Sequence, residues 1–206
     1  MFTPPDTSHT GVVKKIVVLA SGSGSNFQSI IESVQNDRID AEVAGLIAGK
    51  PGIGAIKRAE KAGIPVTILN AATAAELSSQ LRKAFEAWKP DLIVLAGFLK
   101  KIPDDIVKAW EGKIINIHPS LLPKYGGKGY YGIHVHRAVI EAGETESGCS
   151  VHFVNETYDD GDIIRQVKVP VQPGDTPETL AGRVLSEEHK LLPAVISELL
   201  NRQSQP

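Results

Sequence analysis

Two short segments of this chain carry residue types and spacings able to do chemistry. The first is Ile-Asn-Ile-His-Pro-Ser-Leu-Leu-Pro, residues 115–123, which sets Asn116 and His118 two apart. In an extended strand such residues project from the same face, so both can address one bound molecule. An amide N–H can stabilise the oxyanion that forms on an attacked carbonyl, and an imidazole titrating near neutrality can move the proton. The second is Asn-Glu-Thr-Tyr-Asp-Asp-Gly-Asp-Ile-Ile, residues 155–164, with Asp159, Asp160 and Asp162 around Gly161. An aspartate within reach of His118 would favour its protonated form and fix the ring's orientation. Taken singly, each segment also has a plain structural reading: a hydrogen-bonded strand end for the pair and a solvated turn for the aspartates. Calcium fits poorly, because the loop lacks the ligand spacing and closing glutamate of an EF-hand. His134 and His136 also stand two apart, but no acidic residue or cysteine accompanies them at ligand spacing. Helix capping or surface exposure is the expectation for both, and no metal is expected.

A third stretch, Leu-Ala-Ser-Gly-Ser-Gly-Ser-Asn-Phe-Gln-Ser-Ile, residues 19–30, runs from an apolar strand through small residues into a helical pattern. A turn needs only one or two glycines, so the run suggests a backbone that must approach a ligand closely. Gly24, Ser25 and Asn26 would then present the free N–H groups and positive dipole end of a helix starting at Ser25 or Asn26, a natural phosphate site. Ser25 as a simple helix cap is the plainer alternative. A dinucleotide fingerprint would need glycine where Phe27 stands and an acidic residue near Gly49-Lys50, and no Gly-Lys-Ser/Thr follows to make a P-loop.

The elements that must position these groups alternate regularly. Short β-branched runs precede amphipathic segments: 15–20 then 26–36, 41–48 then 54–62, 65–69 then 74–88, and 92–96 then 103–110. The strands are nearly continuous apolar runs, the pattern of parallel strands covered on both faces. The fold class that follows is α/β, a single-domain doubly wound, mostly parallel sheet with a Rossmann-like N-terminal half. The C-terminal part reads as mixed, with a helix near 135–142, two β-like runs and a long helix over 177–200. Pro177 takes its first position, and Asp175 or Thr176 caps it.

The whole chain of 206 residues suits one compact domain, placed at 14–206, with residues 1–13 expected to be a flexible tail. Lys plus Arg number 22 against 24 Asp plus Glu, which gives nucleic acid no electrostatic foothold. Cys149 is the only cysteine, so no intrachain disulfide forms and a reducing, cytoplasmic setting is expected. Neither a secretory signal nor a membrane span is indicated.

Taken in order, Ser-Gly-Ser-Gly-Ser-Asn, Val-Leu-Ala-Gly-Phe, Ile-Asn-Ile-His-Pro-Ser-Leu-Leu-Pro-Lys-Tyr, Ser-Gly-Cys-Ser-Val-His-Phe-Val and the Asp159 loop resemble the phosphoribosylglycinamide formyltransferase family, folate-dependent enzymes of purine biosynthesis. The likeness covers about residues 14 to 200. Its Asn-x-His-Pro-Ser-Leu-Leu-Pro block marks the formyltransferase superfamily, and the early Gly-Ser-Asn marks this branch of it. The resemblance implies 10-formyltetrahydrofolate as co-substrate and 5'-phosphoribosylglycinamide as acceptor, with no metal, no nucleic acid and no membrane, in a monomer or weak homodimer. Asn116, His118 and Asp159 would be the catalytic group. Gly24, Ser25, Asn26, Pro119 and Glu188 would hold the ribonucleotide. Leu99, Lys100, Lys101, Ile102, Asn155, Glu156, Thr157 and Tyr158 would contact the folate, with Asn116 and Asp159.

The chain departs from the family pattern in places. It has Asp159-Asp160-Gly161 where relatives commonly read Asp-Gly-Gly, so Asp159 is preferred with Asp160 as the alternative. Its loop Tyr-Gly-Gly-Lys-Gly-Tyr-Tyr-Gly, residues 125–132, is longer than the usual Tyr-Pro-Gly connection and is either a mobile lid or a surface loop packing on its own protein. No arginine lies in residues 71–80, where some relatives use one for the folate tail. A formyltetrahydrofolate hydrolase or a methionyl-tRNA formyltransferase would be expected to carry an additional domain. A non-catalytic nucleotide-binding module would leave the proton-transfer groups unexplained.

Overall fold

The computed structural model describes residues 13–202, so the expected tail falls almost wholly outside the described residues. Within them the elements run β1 (Lys15–Ala20), α1 (Ser25–Gln35), β2 (Glu42–Ala48), α2 (Gly54–Lys61), β3 (Val66–Ile68), α3 (Ala74–Trp88), β4 (Leu92–Leu95), α4 (Asp104–Ala109), β5 (Ile114–His118), α5 (Ile133–Glu141), β6 (Glu146–Phe153), β7 (Ile163–Pro170) and α6 (Pro177–Arg202). One seven-stranded sheet takes the order β3-β2-β1-β4-β5-β6-β7. The strands β1 to β5 pair in parallel, whereas β5–β6 and β6–β7 pair antiparallel.

The apolar runs of the central strands are continuous because both faces are covered, and alternate residues of one strand serve different cores. Ile16, Val18 and Ala20 of β1 pack with Phe27 and Ile30 of α1 and with α6. Val17 and Leu19 pack on the opposite face with Leu77, Leu81 and Phe85 of α3 and Ile106 of α4. Helix α3 starts abruptly because Thr73 and Glu76 form a reciprocal capping box, the Thr73 hydroxyl accepting from the Glu76 N–H at 3.2 Å. Thr176 opens α6 similarly, its hydroxyl accepting from the Thr179 N–H at 3.3 Å. That helix then runs 26 residues through Pro193 and lies against α1, α5, β6 and β7.

The strand order reverses between β1 and β4, and in open sheets ligands settle beyond the carboxyl ends of strands at such a point. The Gly-Ser turn after β1, the Gly97–Ile102 loop after β4 and His118 at the end of β5 all emerge there.

Candidate active site

Asn116 and His118 lie on β5, and β6 is paired so that His152 stands directly opposite Asn116. The Asp159 loop then folds back over this pair. Asp159 takes a left-handed backbone conformation, φ 53°, which aspartate tolerates better than most residues. Gly161 makes the fold-back possible, since a Cβ there would lie 1.8 Å from the Phe153 carbonyl oxygen. Asp159 Oδ2 comes within 3.5 Å of His118 Nδ1 and accepts from the Gly127 N–H at 2.9 Å. Asp159 Oδ1 accepts from Asn116 Nδ2 at 3.3 Å and lies 3.6 Å from His152 Nε2. Asp160 points elsewhere, to Asn155 Nδ2 at 3.4 Å.

Hydrogen-bond partners fix the ring tautomers. His118 Nε2 lies 2.7 Å from the Tyr125 carbonyl, which can only accept, so Nε2 carries a hydrogen. In the neutral ring Nδ1 is then a lone pair facing Asp159. His152 Nδ1 likewise donates to the Phe153 carbonyl at 2.8 Å, leaving its Nε2 to accept from Asn116 Nδ2 at 3.1 Å. His152 thus orients the Asn116 amide. Sequence reasoning missed it because its partner lies 36 residues away on an antiparallel strand.

The electrostatics set burial against the carboxylate. Burial pushes the His118 imidazole below its ordinary 6.5, while Asp159, as expected, and the Tyr125 carbonyl pull it up toward the protonated form. Burial alone would raise the Asp159 carboxyl, but the His152 contact, the His118 charge and the Gly127 N–H together hold it below its ordinary value. The Asp159 carboxyl and the His118 imidazole thus bias each other toward their charged forms, with burial opposing both. His136 corrects the expectation of capping or exposure: it lies on α5 only 4% exposed, with Nδ1 unpartnered. Burial, assisted by His118, drives it down to about 4. His134 is exposed.

The Gly-Ser turn delivers a helix start without a side-chain cap. Gly24 occupies the cap position at φ 75°, and no side-chain capping bond is made at the start of α1. A Cβ on Gly24 would also lie 2.7 Å from Ala55 Cα, so this position excludes larger residues sterically as well as conformationally. Ser25 is therefore the first helical residue, not the cap. Asn26 Nδ2 donates to Glu188 Oε2 of α6 at 2.6 Å, tying the two helices together beside the turn. Glu188 is 6% exposed, and burial raises its carboxyl, with the Asn26 contact opposing.

Two recesses meet at this cluster. A cleft of about 870 Å³ is lined by Ser25, Asn26, Leu99, His118, Pro119 and Glu188 among others, and the residue 127–133 loop forms one of its walls. A narrower pocket is lined by Lys100, Lys101, Ile102, Asn155, Thr157 and the apolar Leu95 and Val154. Phe98, Asn116, Tyr158 and Asp159 belong to the walls of both. Leu99 thus sits with the larger cleft, and Glu156 in neither lining, its carboxylate lying 4.0 Å from Lys108 on the surface. Among the described residues no group of His, Cys, Asp or Glu stands as a metal-holding cluster. No helix among them is long and apolar enough to cross a membrane.

An uncapped helix start and an amide–imidazole–carboxylate cluster thus meet at the switch point of a doubly wound sheet, where ligands of such folds settle. The formyl transferase family profile matches residues 14–196, and the chain belongs to that family. It is 44% identical over 201 residues to the chloroplastic phosphoribosylglycinamide formyltransferase of Arabidopsis thaliana, covering 94% of this chain and 68% of that protein. Against the Escherichia coli (strain K12) phosphoribosylglycinamide formyltransferase the identity is 40%, over 88% of this chain and 85% of the relative. The chain spans 61% of the corresponding Vigna unguiculata protein. The solved glycinamide ribonucleotide transformylase 1 of Symbiobacterium toebii superposes with a TM-score of 0.86 at 34% identity, over 92% of this chain and 89% of that one.

Proposed function

We propose that this member of the formyl transferase family moves the formyl group of 10-formyltetrahydrofolate onto the amine of 5'-phosphoribosylglycinamide, a step of purine biosynthesis. The observation that carries the reading is the shared wall: Asn116 and Asp159 line both recesses, so two small molecules bound one in each would meet at the proton-handling group. The larger cleft suits the ribonucleotide, with its phosphate at Gly24, Ser25 and Asn26 and with Pro119 and Glu188 along its flank. The narrow pocket suits the flat folate ring system, with the apolar Leu95, Ile102 and Val154 for its faces and Asn155 and Thr157 for its polar edge. Leu99, Lys100, Lys101 and Tyr158 border the path of its tail, and Glu156 lies at the outer margin.

The roles of the residues follow from the tautomers. In its neutral form His118 presents Nδ1 as a proton acceptor. Once the substrate amine has added to the formyl carbon, the ring takes the proton of the resulting ammonium and becomes an imidazolium flanked by the Asp159 carboxylate. It passes the proton, directly or through water, to the folate N10 as the carbon–N10 bond breaks. Asn116 has one firm donation, to His152, and one long donation of 3.3 Å to Asp159. The long one is easily redirected to the formyl oxygen, placing an N–H where negative charge develops. Holding both partners in adjoining recesses removes a large part of the entropic barrier. The buried free thiol of Cys149 is compatible with a cytoplasmic setting, and a monomer or weak homodimer suffices because all the named groups come from one chain.

The decisive assay measures formyl transfer from 10-formyltetrahydrofolate to 5'-phosphoribosylglycinamide beside hydrolysis of the same folate alone. Folate consumption that depends on the ribonucleotide and yields the formylated product supports the reading. Equal consumption with and without the ribonucleotide would instead reveal a hydrolase.

A further inference from the structure

The large cleft is short of positive charge. Its lining includes the carboxylates of Asp159 and Glu188 and two imidazoles, His118 and His136, that burial holds toward the neutral form. Among the described lining residues one lysine or arginine is present, Lys128. A phosphate monoester carries about −1.5 to −2 charges near neutrality, whereas a helix start offers only about half a positive charge. The site so far described is therefore electrostatically incomplete for its proposed guest.

Lys128 lines the same cleft and is free to supply the missing charge. It sits between Gly127 and Gly129, whose φ values of 90° and 98° let the chain turn sharply on either side of it. The loop around it is braced: the Gly127 N–H donates to Asp159 at 2.9 Å, Tyr130 packs edge-on to Tyr125 at 5.9 Å, and Tyr131 packs on His134 at 5.1 Å. Lys124, four residues earlier, is occupied by Glu144 at 2.8 Å, but Lys128 has no ion pair or hydrogen bond among the described residues. The other cation near the turn is differently employed. Arg58 donates to the Ser23 carbonyl at 3.0 Å and to Gln28 at 3.1 Å, and it lines a neighbouring pocket rather than the cleft.

We propose that Lys128, carried by the glycine-rich loop of residues 126–132, is the counter-cation of the substrate's 5'-phosphate and closes the phosphate site that the turn of Gly24, Ser25 and Asn26 opens. This rests on the assignment of the phosphate to that turn. It gives the long loop a function, and it joins phosphate binding to chemistry, because Lys128 is the next residue after Gly127, whose N–H steadies Asp159.

The test compares ribose 5-phosphate as a competitor of the ribonucleotide in the parent enzyme, Lys128→Gln, Lys128→Arg and, as a surface-charge control, Lys124→Gln. Lys128→Gln is expected to weaken the inhibition constant about 5- to 30-fold, the range of one charge-assisted contact at a partly exposed site. Lys128→Arg restores most of it, Lys124→Gln does not move it, and KM for the ribonucleotide rises much more than kcat falls or KM for the folate changes. An unchanged inhibition constant in Lys128→Gln overturns the assignment of Lys128 while leaving the phosphate turn intact. Failure of ribose 5-phosphate to compete in the parent enzyme removes the phosphate turn itself, and the proposal with it.

Discussion

Replacing Asp159 by asparagine isolates the charge of the site from its shape. The amide keeps an oxygen for the Gly127 N–H, so the loop retains its 2.9 Å anchor, but the partner of the imidazolium is gone. A full charge pair at the observed 3.5 Å separation of His118 Nδ1 and Asp159 Oδ2 is worth about 5 kcal/mol at an effective dielectric near 20. The amide dipole recovers part of this, and a net loss of about 3 to 4 kcal/mol corresponds to about 10²- to 10³-fold in kcat. The pH profile supplies the discriminating readout. Activity requires neutral His118, so kcat/KM falls on the acid side as pH drops through a His118 value that already lies below the ordinary 6.5. Asp159 pulls that value up, and removing it leaves only the Tyr125 carbonyl to oppose desolvation, so the acid limb of Asp159→Asn moves to lower pH. Steady-state kinetics from pH 5 to 9, with circular dichroism as a folding control, measures both effects. An acid limb that stays put or moves upward, or a kcat within tenfold of the parent, refutes the pairing of these residues.

Two further perturbations probe the ribonucleotide end. Ser25→Asp places a carboxylate at the uncapped start of α1, which suits the free helix dipole but repels a phosphate, so KM for the ribonucleotide should rise at least tenfold with melting temperature held or raised; an unchanged KM contradicts the phosphate site. Glu188 has a folded-state carboxyl raised by burial, so its contribution to stability is present at low pH and is lost as pH rises through that raised value. Glu188→Gln, a neutral isostere able to accept the same bond from Asn26, should therefore raise the melting temperature more at pH 8 than at pH 4.5, while weakening ribonucleotide binding; equal shifts at both pH values would show that burial of the charge carries no such cost.

What could be read from the residues divides along a physical line. Features contained in one element were legible: the strand–helix alternation, the common face of Asn116 and His118 through the two-residue period, and the helix start at Ser25 after its glycine turn. The preference for Asp159 over Asp160 agrees with the geometry, in which Asp159 turns to His118 and Asp160 to Asn155. Features that depend on register between distant strands were not legible. His152 became a partner of Asn116 only through the β5–β6 pairing, and His136 was misjudged because its α5 face is covered by neighbours no local pattern reveals. The pull of Asp159 on the His118 proton was legible from sequence and agrees in direction, but the depth of burial that opposes it was not legible.

Register is therefore part of the chemistry, and one buried hydroxyl does much to hold it. A slip of one residue between β5 and β6 would put Val151 or Phe153 opposite Asn116 and turn His152 to the other face. Ser150, fully buried and paired with His118 across the strands, blocks that slip. Its hydroxyl donates to the Ser120 carbonyl at 2.6 Å and accepts from the Leu122 N–H at 3.1 Å and from Gln166 Nε2 at 2.7 Å. A shifted pairing would leave the buried Ser150 hydroxyl, Ser120 carbonyl and Leu122 N–H without these partners, at a cost of about 1 to 3 kcal/mol each. The antiparallel strands appended to the parallel half thus fix, through the buried Ser150, which side chain stands beside the Asn116 amide.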